Sequence, residues 1–238
     1  MDRVTTGIPG LDEMIEGGFI KNSSILITGG CGSGKSTFCM QFIYNGAKSG
    51  ENGIYVTFEE YPDTFKRNML RYNWNLQELE DKKKIKILRI DPKDTINLIK
   101  EDYGEIADAI NEVKAKRVVI DSISSIELMI KDEFEKRQTI LELISWLQKH
   151  ECTSLMVSES EQEPTRYSRH GIIEFIVDGV LVMYNMRRGK ARIKALEVLK
   201  MRGTNHITNL VPYVIKDGIQ LLPRQVIFGE ISGQSGQE

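Results

Sequence analysis

The stretch Gly29-Gly30-Cys31-Gly32-Ser33-Gly34-Lys35-Ser36-Thr37 constrains this chain more than any other, because residues 29–36 fit G-x-x-x-x-G-K-S/T directly after the apolar run Ile25-Leu26-Ile27. Glycines let a backbone fold closely enough for its N–H groups to converge on an anion. The helical pattern over 35–48 then aims a helix N-terminus at the same place. Gly30, Cys31, Gly32, Ser33 and Gly34 form the predicted cradle. Lys35 supplies a mobile cation for β- and γ-phosphates, Ser36 has a hydroxyl small enough to ligate magnesium, and Thr37 is placed to meet an α-phosphate. A Gly-rich strand-to-helix turn without a ligand is the plainer alternative, and the strand and helix on either side favour the phosphate. Cys31 raises redox control as a separate question, with an inert thiol the commoner case.

The rest of the chain supplies the sheet such a loop needs. Short β-branched or apolar runs recur at 24–28, 53–58, 85–90, 117–120 and 153–157, with helical patterns between them. Parallel strands require connections of that length. Over 133–150, Phe134, Ile140, Leu141, Ile144 and Leu147 follow a helical period and are expected to face the sheet. Beyond Asp178 the strands come without helices, at 180–184, 193–200, 211–215 and 219–222, joined by turns at 187–190 and Asp217-Gly218. That pattern predicts an antiparallel extension at one sheet edge. The expected fold is therefore α/β, a mainly parallel central sheet with crossover helices and a C-terminal antiparallel β extension. One domain over 1–228 is expected, followed by a polar Gly/Ser/Gln-rich tail over 229–238.

Magnesium held by Ser36 calls for a second protein oxygen at the end of an apolar strand. Val118-Val119-Ile120-Asp121 provides it, so Asp121 is the predicted metal-side carboxylate. Hydrolysis also needs a carboxylate that orients or deprotonates water. Glu59 and Glu60 follow the strand Tyr55-Val56-Thr57-Phe58, and from spacing alone they read equally as a solvated charge pair or a helix cap. Lys200, Arg202 and His206 near the end of a late strand read, on spacing alone, as edge-strand charge and a turn histidine.

Composition excludes several classes. Lys plus Arg number 32 against 34 for Asp plus Glu, a formal charge of −2 that gives no global field for nucleic acid or an anionic membrane. No apolar run reaches the roughly 18 residues of a spanning helix. Cys31, Cys39 and Cys152 form no Cys-x-x-Cys pair, which argues against a disulfide framework or structural zinc and fits a reducing cytoplasm.

Thr6-Gly7-Ile8-Pro9-Gly10-Leu11-Asp12, Gly17-Gly18, the phosphate loop, Phe58-Glu59-Glu60, Ile120-Asp121-Ser122 and Lys200-Met201-Arg202-Gly203-Thr204-Asn205-His206 occur in one colinear order. Together these blocks, spanning about Val4 to Pro223, resemble the KaiC family of RecA-like P-loop ATPases, of which this chain is similar to one copy of the repeated unit. The resemblance implies a Mg-dependent ATP-binding protein and slow ATPase, with ATP or ADP and Mg2+ as cofactors. It makes Glu59 the expected water-activating carboxylate and Glu60 its neighbour and possible substitute. It also implies a homo-oligomer, a hexameric ring, in which Lys200, Met201, Arg202, Thr204 and His206 contact the nucleotide of the adjacent subunit and Lys200 and Arg202 assist catalysis. A regulatory output through an unidentified protein partner is expected.

Three alternatives are weighed against that reading. Clock-type self-phosphorylation needs an adjacent Ser-Thr pair where this chain has Glu174-Phe175, so kinase activity is not expected. Single-stranded DNA binding, as in RecA-like recombinases, is not favoured. Arg166, Tyr167, Arg169 and His170, and the basic turn Arg187-Arg188-Gly189-Lys190-Ala191-Arg192, would carry it, but Glu159, Glu161 and Glu163 open the first of those segments. The third alternative is an assembly module that holds nucleotide with negligible turnover.

Overall fold

The computed structural model describes residues 1–101, 104–161 and 167–225. The expected tail, with Glu163 and Arg166, lies outside the described residues. In chain order, β1 (Arg3–Val4) pairs antiparallel with β2 (Phe19–Ile20), and β3 (Ser24–Gly29) leads into α1 (Lys35–Lys48). Then follow β4 (Gly53–Thr57), α2 (Pro62–Met69), α3 (Leu76–Asp81), β5 (Ile85–Arg89), α4 (Pro92–Glu101), α5 (Glu105–Val113) and β6 (Arg117–Asp121). The second half comprises α6 (Ile123–Glu127), α7 (Glu133–Lys149), β7 (Thr153–Glu159), α8 (Ile173–Ile176), β8 (Gly179–Arg188), β9 (Ala191–Met201), β10 (Val211–Ile215) and β11 (Ile219–Leu221).

Among the described residues, nine strands form one sheet in the order β11-β10-β9-β8-β3-β7-β6-β4-β5. From β8 to β5 every pairing is parallel, and from β8 to β11 every pairing is antiparallel. The strands that alternate with helices are thus the parallel ones, as the pattern predicts, and the helix-free C-terminal run is the antiparallel edge. Both faces of the sheet are covered by apolar residues: Ile25 and Ile27 of β3 join one cluster with Phe38 and Phe42 of α1, while Leu26 joins the other with Leu143 and Leu147 of α7. Burial on both faces explains why β3 and β6 read as continuous apolar runs rather than alternating ones.

One expectation about α7 is corrected. Ile140, Ile144 and Leu147 are buried, but Phe134 is 76% exposed and Leu141 36%, and Leu143 and Trp146 complete the buried stripe instead. Residue 141 lies about 100° around the helix from 140, and 134 lies two turns below 141 on the same outer face.

Parallel alignment brings several strand ends to one edge of the sheet. Gly29 pairs with Glu159, and Thr57 pairs with Asp121. This carboxyl edge is where open α/β sheets hold ligands.

Candidate active site

The loop after β3 turns through left-handed backbone at Gly32 (φ 73°) and at Gly34 (φ 99°), the residue preceding the first turn of α1. A side chain at either position would strain this path. Lys35 folds back over the loop, donating to the carbonyls of Gly29 (2.7 Å) and Gly30 (3.3 Å). Ser36 donates to Asp121 Oδ2 at 2.8 Å, and Tyr55 OH donates to the same carboxylate oxygen. The Asp121–Ser122 peptide bond is cis.

A cavity of about 170 Å³ opens between these groups, lined by Lys35, Ser36, Glu59, Glu60, Asp121 and Glu159 among others. The sequence-predicted loop lysine, metal-side pair and acidic pair therefore meet in one place. Burial is the main influence on its charges: it lowers the Lys35 pKa, against Asp121 and Glu159, and raises that of Asp121, against the bonds from Tyr55 and Ser36 and the charge of Lys35.

The acidic pair is set by a short turn. Thr57 Oγ1 accepts from the backbone N–H groups of Glu59 (3.3 Å) and Glu60 (3.1 Å), which fixes both residues beyond the end of β4. The Glu60 carboxylate accepts from Asn68 Nδ2 at 3.1 Å, and burial raises its pKa in opposition to that bond. Among the described residues, Glu59 accepts only a long bond from Ser125 Oγ, 3.4 Å. Thr37 faces Tyr72, with 3.5 Å between the hydroxyls.

Ser36 and Asp121 offer a hydroxyl and a carboxylate side by side, the hard oxygen donors that suit Mg2+, which keeps several waters and takes its remaining ligands from phosphates. The glycine-lined turn and the Ser33 hydroxyl, buried without a partner among the described residues, suit a phosphate chain. Tyr55 and Glu159 also line the cavity, though the sequence reading assigned neither to this site. Tyr55 faces Asp121 from β4, and Glu159 ends β7. The latter had a signal: Leu155-Met156-Val157-Ser158-Glu159 repeats the apolar-strand-then-acid pattern of Asp121.

Lys200, Arg202 and His206 are not brought to this cavity. Ile25 pairs with Gly179 and Gly29 with Met183, while Gly179 and Val180 pair with Met201 and Lys200. Lys200 thus sits three to four residues, about 12 Å, below the loop along the strands. Lys200 Nζ donates to the carbonyls of Val177 (2.6 Å) and Glu174 (3.0 Å), and Arg202 donates to those of Phe175 (3.1 Å) and Ile176 (3.2 Å). They line a second cavity of about 850 Å³ with Tyr167, His170 and Phe175. Met201 is buried, and Thr204 and His206 lie in the irregular segment that follows the turn at 202–203.

A nine-stranded, mostly parallel sheet with a phosphate loop after its central strand and an acid at the end of a nearby strand defines a RecA-like P-loop nucleotide-binding protein. The KaiC ATPase family model matches residues 4–226, and the chain belongs to that family. It is 36% identical over 231 residues to the circadian clock oscillator protein KaiC of Parasynechococcus marenigrum, covering 94% of this chain and 45% of that one. It is 34% identical to UPF0273 protein MK0039 of Methanopyrus kandleri, covering 97% of this chain and 96% of that protein. Among solved structures, the KaiC-like protein PH0186 from Pyrococcus horikoshii superposes with a TM-score of 0.83 at 37% identity, covering 93% of this chain and 99% of the other. The chain spans about half the length of the circadian clock KaiC proteins that it matches.

Proposed function

We propose that the chain binds Mg-ATP and hydrolyses it slowly, as an oligomeric regulatory ATPase whose sites are shared between subunits. The observation that carries the reading is the single cavity in which Lys35, Ser36, Asp121 and Glu59 converge. Ser36 and Asp121 would hold magnesium, which when bound neutralises charge on the β- and γ-phosphates. Lys35 would leave its loop carbonyls for the phosphate oxygens. Glu59 would orient the attacking water and accept its proton. Glu60 is already engaged by Asn68, which makes Glu59 the better candidate.

Two cations that the family resemblance assigns to catalysis, Lys200 and Arg202, stand at the wrong end of the strands to reach their own loop. This separation supports action in trans: in a heterologous ring each chain presents residues 200–206 to its neighbour's phosphates, where cations stabilise charge developing on the transferred group. A hexamer is the ring expected from the family, and a change of partner binding between ATP and ADP states is the expected output. Cytoplasmic residence accords with the buried thiols of Cys39 and Cys152, and no helix among the described residues is long and apolar enough to cross a membrane. Kinase chemistry has no support at Glu174, which is buried and accepts from Ser168.

Mass determination in solution with ATP, with ADP and without nucleotide, alongside turnover of wild type and Arg202→Ala, tests the reading. Assembly with ATP and loss of turnover in the variant are expected. A fully active monomer would overturn it.

A further inference from the structure

Three successive carbonyls of the phosphate loop are each held by a side chain from a different strand of the antiparallel edge. Asn185 Nδ2, on β8, donates to Cys31 O at 3.2 Å. Lys194 Nζ, on β9, donates to Gly32 O, and Tyr213 OH, on β10, donates to Ser33 O at 2.5 Å. We propose that Asn185, Lys194 and Tyr213 are positioning residues for the phosphate chain of the nucleotide, acting through the loop backbone.

The physical basis is peptide planarity. In a trans peptide the C=O of one residue and the N–H of the next point in opposite directions. Holding the carbonyls of residues 31, 32 and 33 against the sheet edge therefore turns the N–H groups of Gly32 and Gly34 the other way, while the Ser33 N–H donates within the loop to Gly30 O at 3.3 Å. An anion nest is made of such a row of N–H groups, and its affinity depends on their being fixed before the anion arrives.

The loop also lies hard against the same strands. A Cβ on Gly29 would stand 2.2 Å from Met183 O of β8, one on Gly32 3.3 Å from Asn185 Nδ2, and one on Gly34 2.7 Å from Ile215 Cδ1 of β10. The glycines of the motif thus serve contact with the antiparallel edge as well as approach to phosphate. Asn185 and Tyr213 are 7% and 3% exposed, so their bonds to the loop are shielded from competing water. Asn185 Oδ1 is itself buried without a partner among the described residues. A leucine would avoid that cost, which leaves the bond to Cys31 as the use of the amide.

The inference rests on the reading of residues 29–37 as a nucleotide loop, and the wild-type arm of its test reports on that reading alone. Mg-ADP and inorganic pyrophosphate are titrated calorimetrically into the wild-type chain, Tyr213→Phe, Lys194→Met and Lys194→Arg, and the melting temperature of each nucleotide-free chain is measured. Tyr213→Phe and Lys194→Met are expected to weaken both ligands by the same factor, roughly three- to tenfold for one hydrogen bond. The nucleotide-free melting temperature is expected to stay within about 3 °C, and Lys194→Arg to retain most of the affinity. Unchanged affinity in both truncations, or a loss for ADP that pyrophosphate does not share, would overturn the positioning role. Absence of ADP binding by the wild type would instead refute the nucleotide loop itself.

Discussion

Ser36 at the start of α1 and Asp121 at the end of β6 are 85 residues apart in sequence and 2.8 Å apart in space. One hydrogen bond joins the element proposed to cradle phosphate to the element that carries the proposed metal-side acid. Asp121→Asn preserves shape and removes the charge. The ATP affinity of this variant is expected to become insensitive to magnesium, with turnover falling by roughly 100-fold. Titration of ATP with and without magnesium checks it, and full magnesium dependence in the variant would contradict the assignment.

Glu59→Gln is expected to retain nucleotide affinity and lose turnover by a factor on the order of 10²–10⁴, the usual contribution of a positioned base. Glu60→Gln should lose far less. Single-turnover phosphate release for both variants discriminates them; equal losses would show that the pair acts as one unit.

Glu127 supplies a pH signature unrelated to the phosphate site. It is 1% exposed and neither carboxylate oxygen has a hydrogen-bond partner among the described residues. Burial pushes its pKa up to about 7, with Lys136 and Arg169 opposing and Glu174 adding to the shift. A carboxyl raised in the folded state is held neutral there, so its favourable contribution is complete below the unfolded value near 4.5 and is lost as pH rises through about 7. Glu127→Gln should therefore flatten the fall in melting temperature between these pH values. Parallel pH profiles for wild type and variant would contradict the assignment.

Arg117 is buried at the start of β6, ion-paired with Glu51, donating to Phe42 O at 2.9 Å and lying 4.4 Å over the Phe42 ring. Gly46, on α1, packs against it: a Cβ there would stand 2.3 Å from Arg117 Nε. Gly46→Ala in a helix interior ordinarily stabilises by about 1 kcal/mol, but here it must displace a paired guanidinium. A net loss of roughly 1–3 kcal/mol is expected from denaturant unfolding.

The limits of the sequence are visible in these same residues. The loop, the strand before it and Asp121 were legible because each is local: a glycine pattern, an apolar run and the acid that ends it. The antiparallel edge was legible as helix-free strands joined by short turns at 187–190 and 217–218. Strand order was not, since it depends on which long-range pairings close the core. Tyr213 holding Ser33 and Tyr55 facing Asp121 were hidden for that reason: each donor is an ordinary strand aromatic until the sheet sets its neighbour. Phe134 and Leu141 misled because an apolar residue on an outer helix face has the same period as one on the inner face.

The sharpest test of the proposed shared site mixes two defective chains. Glu59→Gln keeps residues 200–206 and Arg202→Ala keeps the acidic pair, so each should be nearly inactive alone. Refolded together in equal amounts, random assembly into a ring pairs an intact Glu59 with a neighbour's intact Arg202 at about a quarter of the sites. Turnover near a quarter of wild type is expected from the mixture; a mixture no more active than its separate components would contradict sites shared between subunits.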